Sequence, residues 1–323
     1  MNIHFTLRYG NITLNAYNVV RANICLDLEQ PSRISYAEVL CPADENLPGK
    51  IIDKVVCYIN SVSAYVGYPI NISFQRATDT QVLVRLTMIS YPFFLLRSQL
   101  AAQTWTSRTL STLESSYLTP RGITLTTTVN KNTVCAEMRV KTITTEFTAL
   151  SDFIGMVYQQ PLYASTNGNL RIGYRDSDGL YNLDSLQQSY GDVCCSKNIE
   201  GVMRTLYIHF SGLVTSRSSD TARDDFGSSY SRHIQYPTGS VPTSQMAWEN
   251  YNLLVKPIRS AVTVSLKMPD ASSYSLGHKI ALTDLACGSF TGYVKLVRFH
   301  VSRQKSYQEL QLLPIAYASP SLL

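Results

Sequence analysis

Ile3-His4-Phe5-Thr6-Leu7-Arg8-Tyr9-Gly10-Asn11-Ile12-Thr13-Leu14-Asn15-Ala16 is the stretch that decides the fold class. Ile3, Phe5 and Leu7 alternate with His4, Thr6 and Arg8. Gly10-Asn11 makes a tight turn, and Ile12, Leu14 and Ala16 resume the rhythm. A period of two around a Gly/Asn turn predicts a β-hairpin with one buried and one wet face. The same texture recurs outward from it. Ala22 to Leu28 and Ile34 to Val39 read as strands across the Gln30-Pro31-Ser32 turn, and Ile70 to Arg76 and Gln81 to Ser90 as a second hairpin. Val134 to Val140 and Ile143 to Phe147 read as part of a Thr-rich meander. Thr205 to Phe210 is a clear strand, and Leu253 to Val255, Ala261 to Leu266, Tyr293 to Val301 and Gln308 to Leu313 read as further ones.

Two segments break the pattern. Ile51, Ile52, Val55, Val56, Ile59 and Val62 recur at helical spacing, so a helix is expected near 49–64, ended by Gly67-Tyr68-Pro69. Ser98 to Tyr117 is ambiguous: Leu100, Trp105, Leu110, Leu113 and Tyr117 suit a helix, while four threonines oppose one. Residues 211–247 form the most polar part of the chain and read as a long exposed loop or partner-binding arm. The expected architecture is mainly β: an antiparallel sandwich or jelly-roll-like fold with one or two inserted helices. Residues 1–160 would form one β-rich domain and 161–323 a second, the alternative being one large β domain with insertions.

Composition narrows the function. Of 323 residues, 45% are hydrophobic but only 16% charged, and 21 are Tyr. A surface rich in Tyr and poor in ionic groups suits sheets and packed interfaces, where desolvating Lys and Glu is costly. The net charge of +5 is scattered. With no basic arm or block, strong nucleic-acid binding is not expected. The basic residues Arg204, Arg217, Arg223 and Arg232 interleave with tyrosines but sit beside Asp220, Asp224 and Asp225, which favours protein contact. The seven cysteines are dispersed, without Cys-x-x-Cys spacing, and read as free thiols of a chain made in a reducing cytoplasm. The start lacks a signal-peptide pattern and no membrane span is expected. Asn11-Ile12-Thr13 and Asn71-Ile72-Ser73 then read as chance glycosylation matches.

Nothing in the chain spells out chemistry. The five histidines lie outside any nucleophile motif, and no Gly-x-Ser-x-Gly elbow occurs. No cofactor is expected and no catalytic residue is assigned. Asp176-Ser177-Asp178-Gly179, followed by Asp184, resembles part of a calcium loop. It lacks the closing bidentate Glu, and an Asp-Gly β-turn explains it better.

The β-rich, charge-poor, hydroxyl-rich texture, spread over most of the chain, resembles virus and phage structural proteins, chiefly capsid building blocks of the jelly-roll kind. No motif carries the resemblance. It implies a virion component that assembles with copies of itself and with other capsid or virion proteins. The missing basic arm points to a minor role, such as a vertex, cement or projecting protein, or to the shell of a virus that handles its genome otherwise. Tyr230, Tyr236, Leu312, Leu313, Ile315 and Tyr317 are the expected interface residues. The apolar tail from Leu312 would dock on its own domain or a neighbour, and deleting it should leave a folded monomer unable to assemble. The rival reading is a carbohydrate-binding or glycan-cleaving β protein of the phage-tail type. It requires Trp105 or Trp248 on the surface with acids close by. A cytosolic scaffold is a third reading.

Overall fold

A computed structural model describes residues 2–43, 51–184, 190–236, 243–269, 274–285 and 287–320. The opening stretch forms the hairpin its rhythm predicts. Strands Ile3–Tyr9 and Ile12–Ala16 pair antiparallel, with Leu7 opposite Leu14 and Tyr9 opposite Ile12. Gly10 turns the corner at φ +59°, a conformation without steric cost only for glycine. Phe5 and Leu7 are fully buried, while His4, Thr6 and Arg8 stay at least partly wet.

From this hairpin the chain builds a mainly antiparallel sheet of 13 strands. Edge to edge its main path runs Gly191–Lys197, Val262–Met268, Ser306–Pro314, Gly288–Ser302, Asn18–Asp27, Ser35–Pro42, Gln81–Ser90, Val62–Arg76, Lys54–Ile59, Ile3–Tyr9 and Ile12–Ala16. His278–Asp284 pairs with the first half of Gly288–Ser302 and carries Arg175–Asp184 on its other side. The architecture is therefore mainly β, as expected. One core cluster gathers residues from Ile3 to Leu312, so strands from both ends of the chain share one interior.

The division at residue 160 does not separate two sheets. Asn18–Asp27 bonds directly to Gly288–Ser302, from Asp27 opposite Leu296 to Arg21 opposite Ser302. A second core, with Leu110, Leu150 and Phe153 at its centre, is built from residues 95–172, and Ala247 and Trp248 pack against it.

The helix expected near 49–64 is a correction. Residues 44–50 lie outside the described ones, and beyond them Lys54–Ile59 and Val62–Arg76 are paired strands. Asn60 and Ser61 both adopt left-handed φ, +49° and +67°, which is the requirement of a two-residue hairpin turn. Val55, Cys57 and Ile59 are buried two residues apart. The apolar run satisfied both periods, and β-branched residues favour the extended one when an edge such as Ile3–Tyr9 is there to pair.

Other expectations shift for local reasons. Only Thr144–Thr145 of the segment from Ile143 to Phe147 is a strand. Thr145 then caps the helix Glu146–Tyr158, its hydroxyl accepting from the Thr148 N–H at 3.1 Å. The ambiguous region splits into strand Gln103–Thr109 and a helical turn Leu110–Leu113, joined by a Thr109/Thr112 capping box. Leu253 to Val255 is helical rather than extended, within the run from Thr243–Asn250 through Tyr251–Val255 to Lys256–Ala261. Residues 211–247 are not one long loop. They hold strand Leu213–Ser218, the short helix Asp220–Asp224 capped by Ser219, and strand Ser231–Tyr236. With Thr205–Phe210 between them, the two strands make a separate three-stranded sheet, one pair antiparallel and one parallel.

The apolar tail is interior. Ser306–Pro314 lies between Val262–Met268 and Gly288–Ser302, and Leu312 faces Val264 on one side and Val294 on the other. Among the described residues no helix is long and apolar enough to cross a membrane.

Candidate interaction site

The acidic turn is occupied by the protein's own cations. Asp176 accepts from the Tyr293 hydroxyl at 2.6 Å and lies 3.9 Å from Lys279 Nζ. Asp178 lies 3.2 Å from Arg175 Nη1 and 3.6 Å from His278 Nε2. Gly179 takes φ +88°, as an Asp-Gly corner needs. Asp184 ends the strand opposite Thr283, and its side chain lies outside the described ones. The two carboxylates thus meet guanidinium, ammonium, imidazole and phenol groups where a calcium loop would present bare oxygens. Among the described residues no three His, Cys, Asp or Glu side chains are grouped to hold a metal.

His278 is buried in this network. Burial, then the adjacent Arg175, pull its pKa from 6.5 down to about 4, with Asp178 opposing. The unfolded ring takes its proton near the ordinary value, so the unfolded chain binds more protons between the two pKa values. This contribution to stability is intact above the unfolded value and declines as pH falls toward the folded one. The urea midpoint is expected to drop between neutral pH and about pH 5, and to drop less in His278→Gln. An unchanged pH slope in that variant would contradict the assignment.

The six interface residues do not come together. Tyr230 is 55% exposed. Tyr236 instead donates to Glu249 Oε1 at 2.8 Å and accepts from Gln245 Nε2 at 3.2 Å. Leu312 and Leu313 are 0% and 1% exposed and belong to the intrachain core. Ile315 packs on the Tyr293, Leu313 and Ala318 cluster, and the Tyr317 ring sits 5.2 Å from Phe226. The apolar tail is therefore consumed by its own fold, since two sheet neighbours were available to bury it.

The exposed apolar residues that sequence reading missed are elsewhere. Leu213 and Val214 are 62% and 58% exposed at the start of the outer strand of the small sheet. Phe94 is half-exposed beside Phe93, which stacks on Tyr68 at 4.2 Å. Ile12–Ala16 and Gly191–Lys197 end the main path of the large sheet. Sheet ends of this kind are templates for further pairing. Position in the sheet order makes these edges, and no residue type announces it.

A cavity of about 420 Å³ opens between helix Glu146–Tyr158, strand Val134–Val140, strand Ser231–Tyr236 and helix Thr243–Asn250. Met138 and Ile234 give it apolar walls; Arg139, Asp152, Trp248 and Glu249 give it polar ones. Lys141 Nζ lies 4.9 Å from the Trp248 ring centre. Burial raises the Asp152 pKa against the pull of Lys256, whose Nζ is 3.6 Å away. Trp105, the other tryptophan, is buried against Phe153 and Tyr117 and is closed to any ligand. The seven cysteines are free. Burial pushes the Cys41 thiol to about 11 and the Cys57 thiol to about 12, which keeps both unreactive.

No family model matches the chain, and no curated protein matches it in sequence. Solved structures do match the fold. The chain is similar to a tail protein of Neisseria meningitidis MC58, with TM-score 0.75 and 12% identity over 99% of both chains. It is similar to the 43 kDa tail protein of prophage MuSo2 from Shewanella oneidensis, with TM-score 0.73 and 11% identity over 96% of this chain and 98% of that one. A component of the E. coli type VI secretion system matches at TM-score 0.59 and 6% identity, over 98% of this chain and 78% of the other.

Proposed function

We propose that this chain is a structural protein of a phage tail or of a related injection apparatus, acting through subunit contacts. The observation that carries the reading is the likeness to the Neisseria tail protein over 99% of both chains. A match of that extent spans the large sheet and the second core of residues 95–172 together, rather than one common module. Fold alone does not assign function. Here the low charge content of the chain and the unpaired ends of the sheet order point the same way. On this reading the place in the virion is the tail rather than the capsid shell. The partners are copies of the chain and neighbouring tail proteins. Tyr230, Leu213 and Val214 are the exposed side chains offered to them, and no catalytic step is involved.

Antibody raised against the chain is expected to decorate tails in electron micrographs of purified particles. Decoration of heads, or particles that lack the protein, would overturn the proposal.

A second reading, saccharide binding, is favoured by one feature. Trp248 lines a cavity with Asp152 and Glu249, the combination of aromatic face and acids that this reading requires. A cavity of about 420 Å³ is within the size range of small-molecule sites. Glycan-array binding that disappears in Trp248→Ala would support it, and an array without signal would remove it.

A further inference from the structure

We propose that His209 and His233 form a binding site for a divalent transition-metal ion on the outer face of the three-stranded sheet. The site follows from strand alternation. Thr205–Phe210 and Ser231–Tyr236 run parallel, with Tyr207 beside His233 and His209 beside Gln235. Leu206 and Ile208 point inward and are buried with Met203 and Leu254. Tyr207, His209, His233 and Gln235 therefore share the opposite face, together with Val214 and Ser216 of the third strand.

On that face the two imidazoles converge. His209 Nε2 lies 2.8 Å from His233 Nδ1, and the ring centres are 5.1 Å apart. Tyr207 stacks on His233 at 4.6 Å with an interplanar angle of 13°, which limits the tilt of that ring. Two imidazole nitrogens bound to one zinc-sized ion, at about 2.0–2.1 Å each, stand roughly 3 Å apart. The nitrogen spacing is already close to that value, and accommodating an ion requires the rings to turn so that both nitrogens point at one position, with no change in the strands.

The alternative is a simple hydrogen bond between neutral rings. That bond uses one proton between the two nitrogens. A metal ion would replace it while each ring keeps its single proton on the outward nitrogen, so binding needs a tautomer change and no net proton loss. The donor set selects the ion. Imidazole suits nickel, copper and zinc, whereas calcium and magnesium require carboxylate and carbonyl oxygens. No carboxylate faces the pair at the neighbouring register positions, which are Gln235, Tyr207, Val214 and Ser216. Two protein ligands leave the remaining coordination positions to water on the exposed side.

The test is calorimetric titration of the full chain with Ni²⁺, after alkylation of the thiols to silence exposed Cys194 and Cys195. One equivalent should bind, and His209→Gln or His233→Gln should each weaken it by at least about tenfold. Both variants lie on an exposed face, and circular dichroism checks that they fold. In the unsubstituted protein, paramagnetic Ni²⁺ should broaden the ring resonances of His209 and His233 first. No binding, undiminished binding in both variants, or first broadening at His4 or His300 would each overturn the site.

Discussion

A chain truncated after Gln311 is expected not to fold. The residues removed are structural. Leu312 pairs with Val264 and Val294 on its two flanks, and Leu313 pairs with Tyr293. Both leucines are buried. Shortening one such leucine to alanine costs about 2–5 kcal/mol. The truncation loses both entirely, along with several ladder hydrogen bonds and the helix Ile315–Ala318. Whole domains are stable by only about 5–15 kcal/mol, so the loss consumes most or all of that margin. Expression should yield aggregate, or a chain without a cooperative thermal transition. A soluble truncated chain that melts cooperatively would restore the reading of the tail as a detachable docking element.

Arg259→Met is expected to cost about 3 kcal/mol or more. Arg259 is 3% exposed and has no carboxylate partner within ion-pair distance among the described residues. Its guanidinium donates to three acceptors from three parts of the chain. They are Ala318 O at 2.7 Å, the Tyr251 hydroxyl at 3.3 Å and Gln159 O at 2.5 Å. Gln159 closes helix Glu146–Tyr158 in a left-handed conformation, so its carbonyl is one that the helix cannot satisfy itself. Met fills much of the volume but leaves the buried Ala318 carbonyl and Tyr251 hydroxyl, and the part-buried Gln159 carbonyl, without this donor. Arg259→Lys should recover little, because one ammonium on a flexible stem cannot reproduce a planar fork. Urea unfolding of the three proteins measures this. A Met variant within about 1 kcal/mol of the unsubstituted chain would show that water or backbone shifts replace the clamp.

Where one face of a strand is wet, alternation was readable. The opening hairpin, Val134–Val140 and Thr205–Phe210 were all legible in the residues themselves. Where an element is apolar on both sides, or where a capping threonine is hidden among other threonines, the residues allowed two answers. Lys54–Ile59 became a strand because Ile3–Tyr9 gave it an edge. Glu146–Tyr158 became a helix because Thr145 satisfied its first turn. The candidate site was less legible still. Asp176-Ser177-Asp178-Gly179 reads best as an Asp-Gly turn, but its partners were not legible: beside the local Arg175, the groups that hold the two carboxylates are Tyr293, Lys279 and His278, about a hundred residues away in the chain.

The amino-acid sequence alone determined a mainly β protein with few ionic groups, because two-residue alternation is a property of neighbouring residues and charge content one of composition. Tertiary structure alone decided which strand is interior, which edges stay open, and that His209 meets His233. Those depend on sheet order and parallel register, which join residues far apart in the chain and leave no local mark.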